Sequence, residues 1–325
     1  MRLPRRRFLG LAASAPALPA VSRLARAQTY PVRPVRLVVG VPPGGTFDIV
    51  ARLIGQWLSE RFGQQFIIEN RPGAGTNIGT DVVAHAPADG YTLLLAGSPA
   101  AINATLYDNL TFNFIRDIAP VASIERMPLV MAVNPALPLK TVPEFINYAK
   151  ANPGKINMGS GGIGSTGYVS GVLFTMMAGI KIAQVPYRGE APALTDLIGA
   201  QVQVVFATAG SVIQHVRSGA LRALAITTSV PLDALPGVPA LANFLPGYEA
   251  TAWIGIGAPI NTPAEIVTRL NHAINAALAD PQIKAQLADL GASILAGSPA
   301  DFGKFIADET EKWGKVVKFS GAKPE

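Results

Sequence analysis

The sequence predicts an α/β chain folded as two lobes, each a mostly parallel sheet flanked by helices. Short apolar runs alternate with helical spacings along most of the chain, the pattern of strands joined by helical crossovers. About 298 residues follow an export-like amino-terminal segment, more than one core ordinarily encloses. Two glycine-rich loops, 39–48 and 159–167, each follow an apolar run and open a helix-like stretch. Ligands of α/β sheets gather where loops leave the carboxyl ends of strands, and the free N–H groups of a helix start attract anions. One such loop in each half implies a ligand held between the lobes.

The first 27 residues are set aside as a targeting segment. Arg5, Arg6, Arg7, Phe8 and Leu9 resemble a twin-arginine export signal, with Pro4 where Ser or Thr is usual, and Ala25–Arg26–Ala27 gives a small-x-small end. Cleavage there leaves Gln28 first and places the mature chain in the periplasm. An uncleaved anchor is the competing reading, opposed by Pro16, Pro19 and an apolar stretch short of the roughly 20 residues a spanning helix needs. Six of the 27 basic residues and no acid lie in this segment, so the rest carries 21 basic against 21 acidic residues and the net charge of +6 falls to zero. The positive charge of the whole chain therefore gives no argument for nucleic acid or lipid, both of which want a basic surface on the folded domain. The chain has no cysteine, which excludes disulfides, thiolate metal sites and cysteine nucleophiles.

In the first half, Val35–Gly40 reads as a buried strand, and Ile49, Val50, Leu53, Ile54, Trp57, Leu58 and Phe62 recur at helical spacing until Gly63. Phe66–Glu69 and Leu93–Ala96 are the next strands, with Gly79–His85 helical between them. Pro143–Ala151 opens the second half as a helix with proline in its first turn. Strands at Ile156–Met158, Ala183–Val185, Val202–Phe206 and Ala223–Ile226 then alternate with helices at Thr166–Ala178, Ala191–Gly199 and Ser211–Ser218. Pro231, Pro236, Pro239 and Pro246 mark a long connection to the strand Trp253–Ala258, and the helices Pro263–Ala279, Pro281–Leu290 and Pro299–Phe319 are expected to pack back on the first lobe. This divides the chain into residues 28–128 with 251–325, and residues 129–250, joined by two crossings that can act as a hinge.

The first loop supplies Pro43, Gly44, Gly45, Thr46 and Asp48 as candidate ligand contacts. Its glycines let a ligand approach backbone beside a helix start. Asp48 either faces the ligand or complements the helix dipole. The second loop offers the hydroxyls of Ser160, Ser165 and Thr166 and the bare N–H groups of Gly161 and Gly164, although Ser165 or Thr166 can equally cap its helix. Tyr187 and Arg188 follow a strand, where Arg188 could pair a second carboxylate or face solvent. Gly97, Ser98 and Thr208 occupy equivalent strand ends. Phe47 and Trp253 could stack on a ring or pack in the core.

Six motifs occur in one order: Pro43–Asp48 (PGGTFD), Glu69–Gly75 (ENRPGAG), Asp89–Leu93 (DGYTL), Asn152–Lys155 (NPGK), Val185–Gly189 (VPYRG) and Ala193–Leu197 (ALTDL). Together they resemble the Bug family, the periplasmic solute-binding receptors of tripartite tricarboxylate transporters, from about Pro31 to the carboxyl terminus. The resemblance implies a type II periplasmic-binding-protein (Venus-flytrap) fold closing on a small organic acid, with membrane permease subunits as partners, a monomeric state and no cofactor. It places the 43–48 and 160–166 loops on opposite sides of the ligand. Val41 stands where an aromatic is common, Thr76 where a second glycine follows Gly75, Tyr168 where a histidine is usual and Val172 where a glutamate occurs, departures that bear on ligand choice.

An NAD-dependent oxidoreductase using the Gly159–Gly164 loop is the alternative, since Gly159-x-Gly161-x-x-Gly164 matches the dinucleotide fingerprint. No acid lies between Ser165 and Gly189, where a ribose-binding residue would stand about 20 residues on. A serine hydrolase lacks its Gly-x-Ser-x-Gly elbow, and His85, His215 and His272 lack metal-ligand spacing.

Overall fold

A computed structural model describes residues 30–324; the expected export signal, residues 1–27, lies outside them. The described elements run β1 (Val35–Val39), α1 (Thr46–Phe62), β2 (Phe66–Asn70), α2 (Asn77–Ala84), β3 (Thr92–Gly97), α3 (Ser98–Leu106), α4 (Phe114–Asp117), β4 (Ile118–Val133) and α5 (Val142–Ala151). They continue through β5 (Asn157–Ser160), α6 (Thr166–Ala178), β6 (Ala183–Pro186), α7 (Glu190–Ile198), β7 (Val204–Thr208), α8 (Ala209–Arg217) and β8 (Arg222–Ile226). The chain closes with β9 (Thr251–Pro259), α9 (Ala264–Ala279), α10 (Pro281–Asp289), β10 (Ser293–Ile294) and α11 (Pro299–Ser320).

Local chemistry explains the main boundaries. Helix α1 buries Val50, Ile54 and Leu58 at intervals of one turn and ends where Gly63 turns left-handed, its N–H bonding the Ser59 carbonyl. Each such side chain contributes about 1.5–3 kcal/mol on leaving water. Thr141 caps α5 and Ser298 caps α11, the latter in a reciprocal capping box with Asp301.

The strands follow the order β2-β1-β3-β9-β4-β7-β5-β6, with β8 and β10 also paired to β4. Two lobes result because β4 changes partners along its length. Ile118 to Pro128 pair with β9, and Leu129 to Val133 pair with β7 and β8. The outer strands are parallel, β1 with β2 and β3, and β5 with β6 and β7. Antiparallel ladders enter each sheet where the crossing strands β4 and β9 join it, so both sheets are mixed. A strand that passes from one lobe to the other, and a strand that brings the chain back, cannot both keep the crossover direction of the outer strands.

One core, containing Leu94, Ile102 and Phe114 from one side and Phe145, Phe174 and Phe206 from the other, runs between the lobes, and Phe302, Ile306, Trp313 and Val317 of α11 complete it. Helix α11 thus packs on α6 as well as α3, beyond the expected return to the first lobe. Neither β4 nor α3 is legible in the sequence pattern. Glu125, Arg126 and Pro128 interrupt the apolar pattern of β4, although β4 is the longest described strand and most of it is buried.

Candidate functional site

The carboxyl ends of β1, β2 and β3 form one edge, and those of β5, β6 and β7 another. The edges meet where Gly164 lies against α3: a Cβ on Gly164 would stand 2.7 Å from Leu106 Cδ2 and 3.4 Å from Asn103 Oδ1.

On the first edge, Pro42 to Gly45 are exposed and Thr46 and Phe47 half-buried. Gly45 precedes α1 and carries no side chain to cap it, so the first-turn amides keep their anion-attracting character. Asp48 faces its own loop. Its carboxylate accepts from Gly44 N at 2.9 Å, from Arg52 Nε and Nη2 at 2.9 Å each, and from Asn70 Nδ2 at 3.0 Å. The Arg52 hydrogen bonds lead in holding its carboxyl down at about 2. Asn70 also donates to the Val41 carbonyl at 3.0 Å, so the cluster fixes both ends of the loop.

Gly97 and Ser98 lie beneath this loop and are buried. A Cβ on Gly97 would overlap the Phe47 ring and stand 2.8 Å from the Trp253 carbonyl, which is why glycine fits there. Ser98 Oγ accepts from Trp253 N at 2.9 Å, tying the start of α3 to β9. Phe47 is therefore a lid on Gly97. Trp253 is wholly buried, edge-on to Phe302 and Phe305.

On the second edge, Gly161, Ser165 and Thr166 are half-buried. Ser165 Oγ caps α6 by accepting from Tyr168 N at 3.2 Å. Ser160 Oγ is buried and has no hydrogen-bond partner among the described residues. The Tyr187 hydroxyl donates to Asp196 at 2.7 Å, and burial followed by this bond pushes its pKa to about 12. Arg188 is exposed and among the described residues makes no ion pair. Thr208 is engaged by Glu190, which the sequence reading passed over; the Glu190 carboxylate accepts from Thr208 N, Thr208 Oγ1 and Ser211 Oγ, each at 2.8 Å. Only a partner distant in sequence reveals this role.

A groove of about 960 Å³ lies elsewhere, bordered by Arg61, Phe62, Arg269 and His272. It sits at the far end of α1, roughly 25 Å of helix from Gly45, and so is separate from the edges described above. Among the described residues no cluster of three or more His, Asp or Glu could hold a metal, and no helix is long and apolar enough to cross a membrane.

Two mixed α/β lobes joined by paired crossings, with helix starts along the strand ends between them, define the class of periplasmic solute-binding proteins. The family model described as "Tripartite tricarboxylate transporter family receptor" matches residues 50–321, and the chain belongs to that family. BugT of Bordetella pertussis is 38% identical over 300 residues, covering 91% of this chain and 92% of the relative. Among solved structures, R. palustris Rpa4515 with adipate superposes with a TM-score of 0.81 at 38% identity, covering 91% of this chain and all of that one (100%). MatC from Rhodopseudomonas palustris with bound malate gives 0.77 at 32% identity, covering 89% and 100%. Membership bears out the resemblance drawn from the six motifs, and nothing in these comparisons favours the oxidoreductase alternative.

Proposed function

We propose that this receptor, exported and cleaved after Ala27, captures a small carboxylate between a lobe of residues 28–128 with 251–325 and a lobe of residues 129–250. It then presents the ligand to the permease subunits of its transporter, as a monomer without cofactor or turnover. The observation that carries this reading is the uncapped start of α1 at Gly45, held open by the Asp48–Arg52–Asn70 cluster. One ligand carboxylate would sit on these amides, and the other edge contributes Arg188 and the Gly161–Thr166 loop. The carboxylates held by the related structures, adipate and malate, fit this chemistry. Binding favours closure by as much as affinity differs between the open and closed forms.

The test is thermal melting of the chain from Gln28 with adipate, malate, their diamides and NAD. Ligand at about 100 times its dissociation constant adds roughly 2.7 kcal/mol, a shift of several degrees. A shift with an acid and not its amide supports the proposal. A shift with NAD alone, or turnover of it, overturns the proposal.

A further inference from the structure

Anion positions at the two edges are unevenly available. In the first lobe the α1 start is open, whereas the α3 start is buried beneath Phe47. In the second, Ser165 caps α6, while α7 begins uncapped at Gly189 beside Arg188, which makes no ion pair among the described residues. Just before α8, the polar groups at the end of β7 are already engaged. Glu190 bonds the Thr208 amide and the hydroxyls of Thr208 and Ser211, three contacts of the kind an anionic ligand would make. Glu190 is half-buried, and a Cβ on Gly161 would stand 3.2 Å from its backbone N, which sets the start of α7 against the Gly161 loop, while its carboxylate reaches Thr208 at the end of β7.

We propose that Glu190 is a specificity-determining residue: its own carboxylate occupies the third anion position of the cleft, so the receptor accepts mono- and dicarboxylates and turns tricarboxylates away. The inference deepens the function proposed above and rests on it. A dicarboxylate reaches the α1 start with one group and Arg188 with the other. A third carboxylate meets Glu190, where like charges in a partly desolvated site repel and the Thr208 amide and the hydroxyls of Thr208 and Ser211 are already engaged.

The experiment is calorimetric titration of the chain from Gln28, and of Glu190→Gln and Glu190→Ala, with two matched pairs. These are adipate against butane-1,2,4-tricarboxylate, and glutarate against propane-1,2,3-tricarboxylate. The unaltered chain should bind at least one dicarboxylate ten or more times tighter than its tricarboxylate partner. Either variant should reduce that ratio at least tenfold; Glu190→Gln keeps an acceptor for Thr208 N, so it stays folded even if Glu190→Ala does not. Equal affinity for both members of a pair in the unaltered chain, or an unchanged ratio in a folded variant, overturns the role of Glu190 alone. Binding of none of the four acids by the folded, unaltered chain overturns the proposed function with it.

Discussion

The hydroxyl of Thr227 accepts a 2.8 Å hydrogen bond from the amide of Leu129, the residue at which β4 changes lobes. The same hydroxyl lies 2.6 Å from the Ala250 carbonyl, just before β9 returns the chain to the first lobe. One buried side chain therefore ties both crossings. Replacing Thr227 by Val keeps the shape and leaves the Leu129 amide without its side-chain acceptor, a cost of about 1–3 kcal/mol. Urea unfolding should show that loss, and ligand affinity should change although Thr227 is remote from the loops. An unaltered urea midpoint would show that the hydroxyl does not brace the hinge.

Asp48 shapes the first loop through its hydrogen bonds to Gly44, Arg52 and Asn70. Asp48→Asn should cost on the order of 1–3 kcal/mol through weakened charge-assisted bonds and should weaken carboxylate binding by loosening the α1 start. With its carboxyl held at about 2, below the ordinary 3.8, its stabilisation is complete above about pH 4 and disappears as pH falls through about 2. Acid titrations followed by circular dichroism should therefore diverge between the two proteins near neutrality and converge below about pH 2.

Glu125 works in the opposite direction. It is fully buried, neither carboxyl oxygen has a hydrogen-bond partner among the described residues, and burial raises its carboxyl from the ordinary 4.5 to about 7. The folded state holds this proton more tightly than the unfolded chain, so stability drops as pH rises from about 4.5 through about 7, by roughly 3 kcal/mol in all. Glu125→Met should flatten that part of the stability profile and be the more stable protein at pH 8. A parallel decline in both proteins would assign the pH dependence to other groups.

At Gly164 the lobes touch, with φ of 84° and Leu106 immediately beyond. Gly164→Ala adds both a left-handed strain of about 1–3 kcal/mol and a wedge between the lobes. Calorimetry should show at least tenfold weaker ligand binding, and small-angle scattering a larger radius of gyration with saturating ligand. Wild-type dimensions at saturation would mean that Leu106 yields.

The α/β class, most strands and helices, and the two loops were legible because they rest on local rules. Apolar spacing marks buried strands and helices, and glycine marks close backbone approach. The six motifs carried family membership for the same reason, being short and ordered along the chain. What the loops do individually was less visible. Ser98, Asp48 and Thr208 looked like free hydrogen-bonding groups, yet their partners are Trp253, Asn70 with Arg52, and Glu190, from 4 to 155 residues away.

By itself, then, the sequence determined the α/β pattern, the pair of glycine-rich helix starts and the family. Tertiary structure alone decided that β4 passes between lobes, because its partners come from strands made much later in the chain and its own pattern is broken by Glu125 and Pro128. It also decided which polar groups remain available for an anion. A hydroxyl or carboxylate reads the same in sequence whether it meets a ligand or a buried amide, and only the folded neighbours separate Arg188, without an ion pair among the described residues, from Glu190, held on Thr208 just before α8.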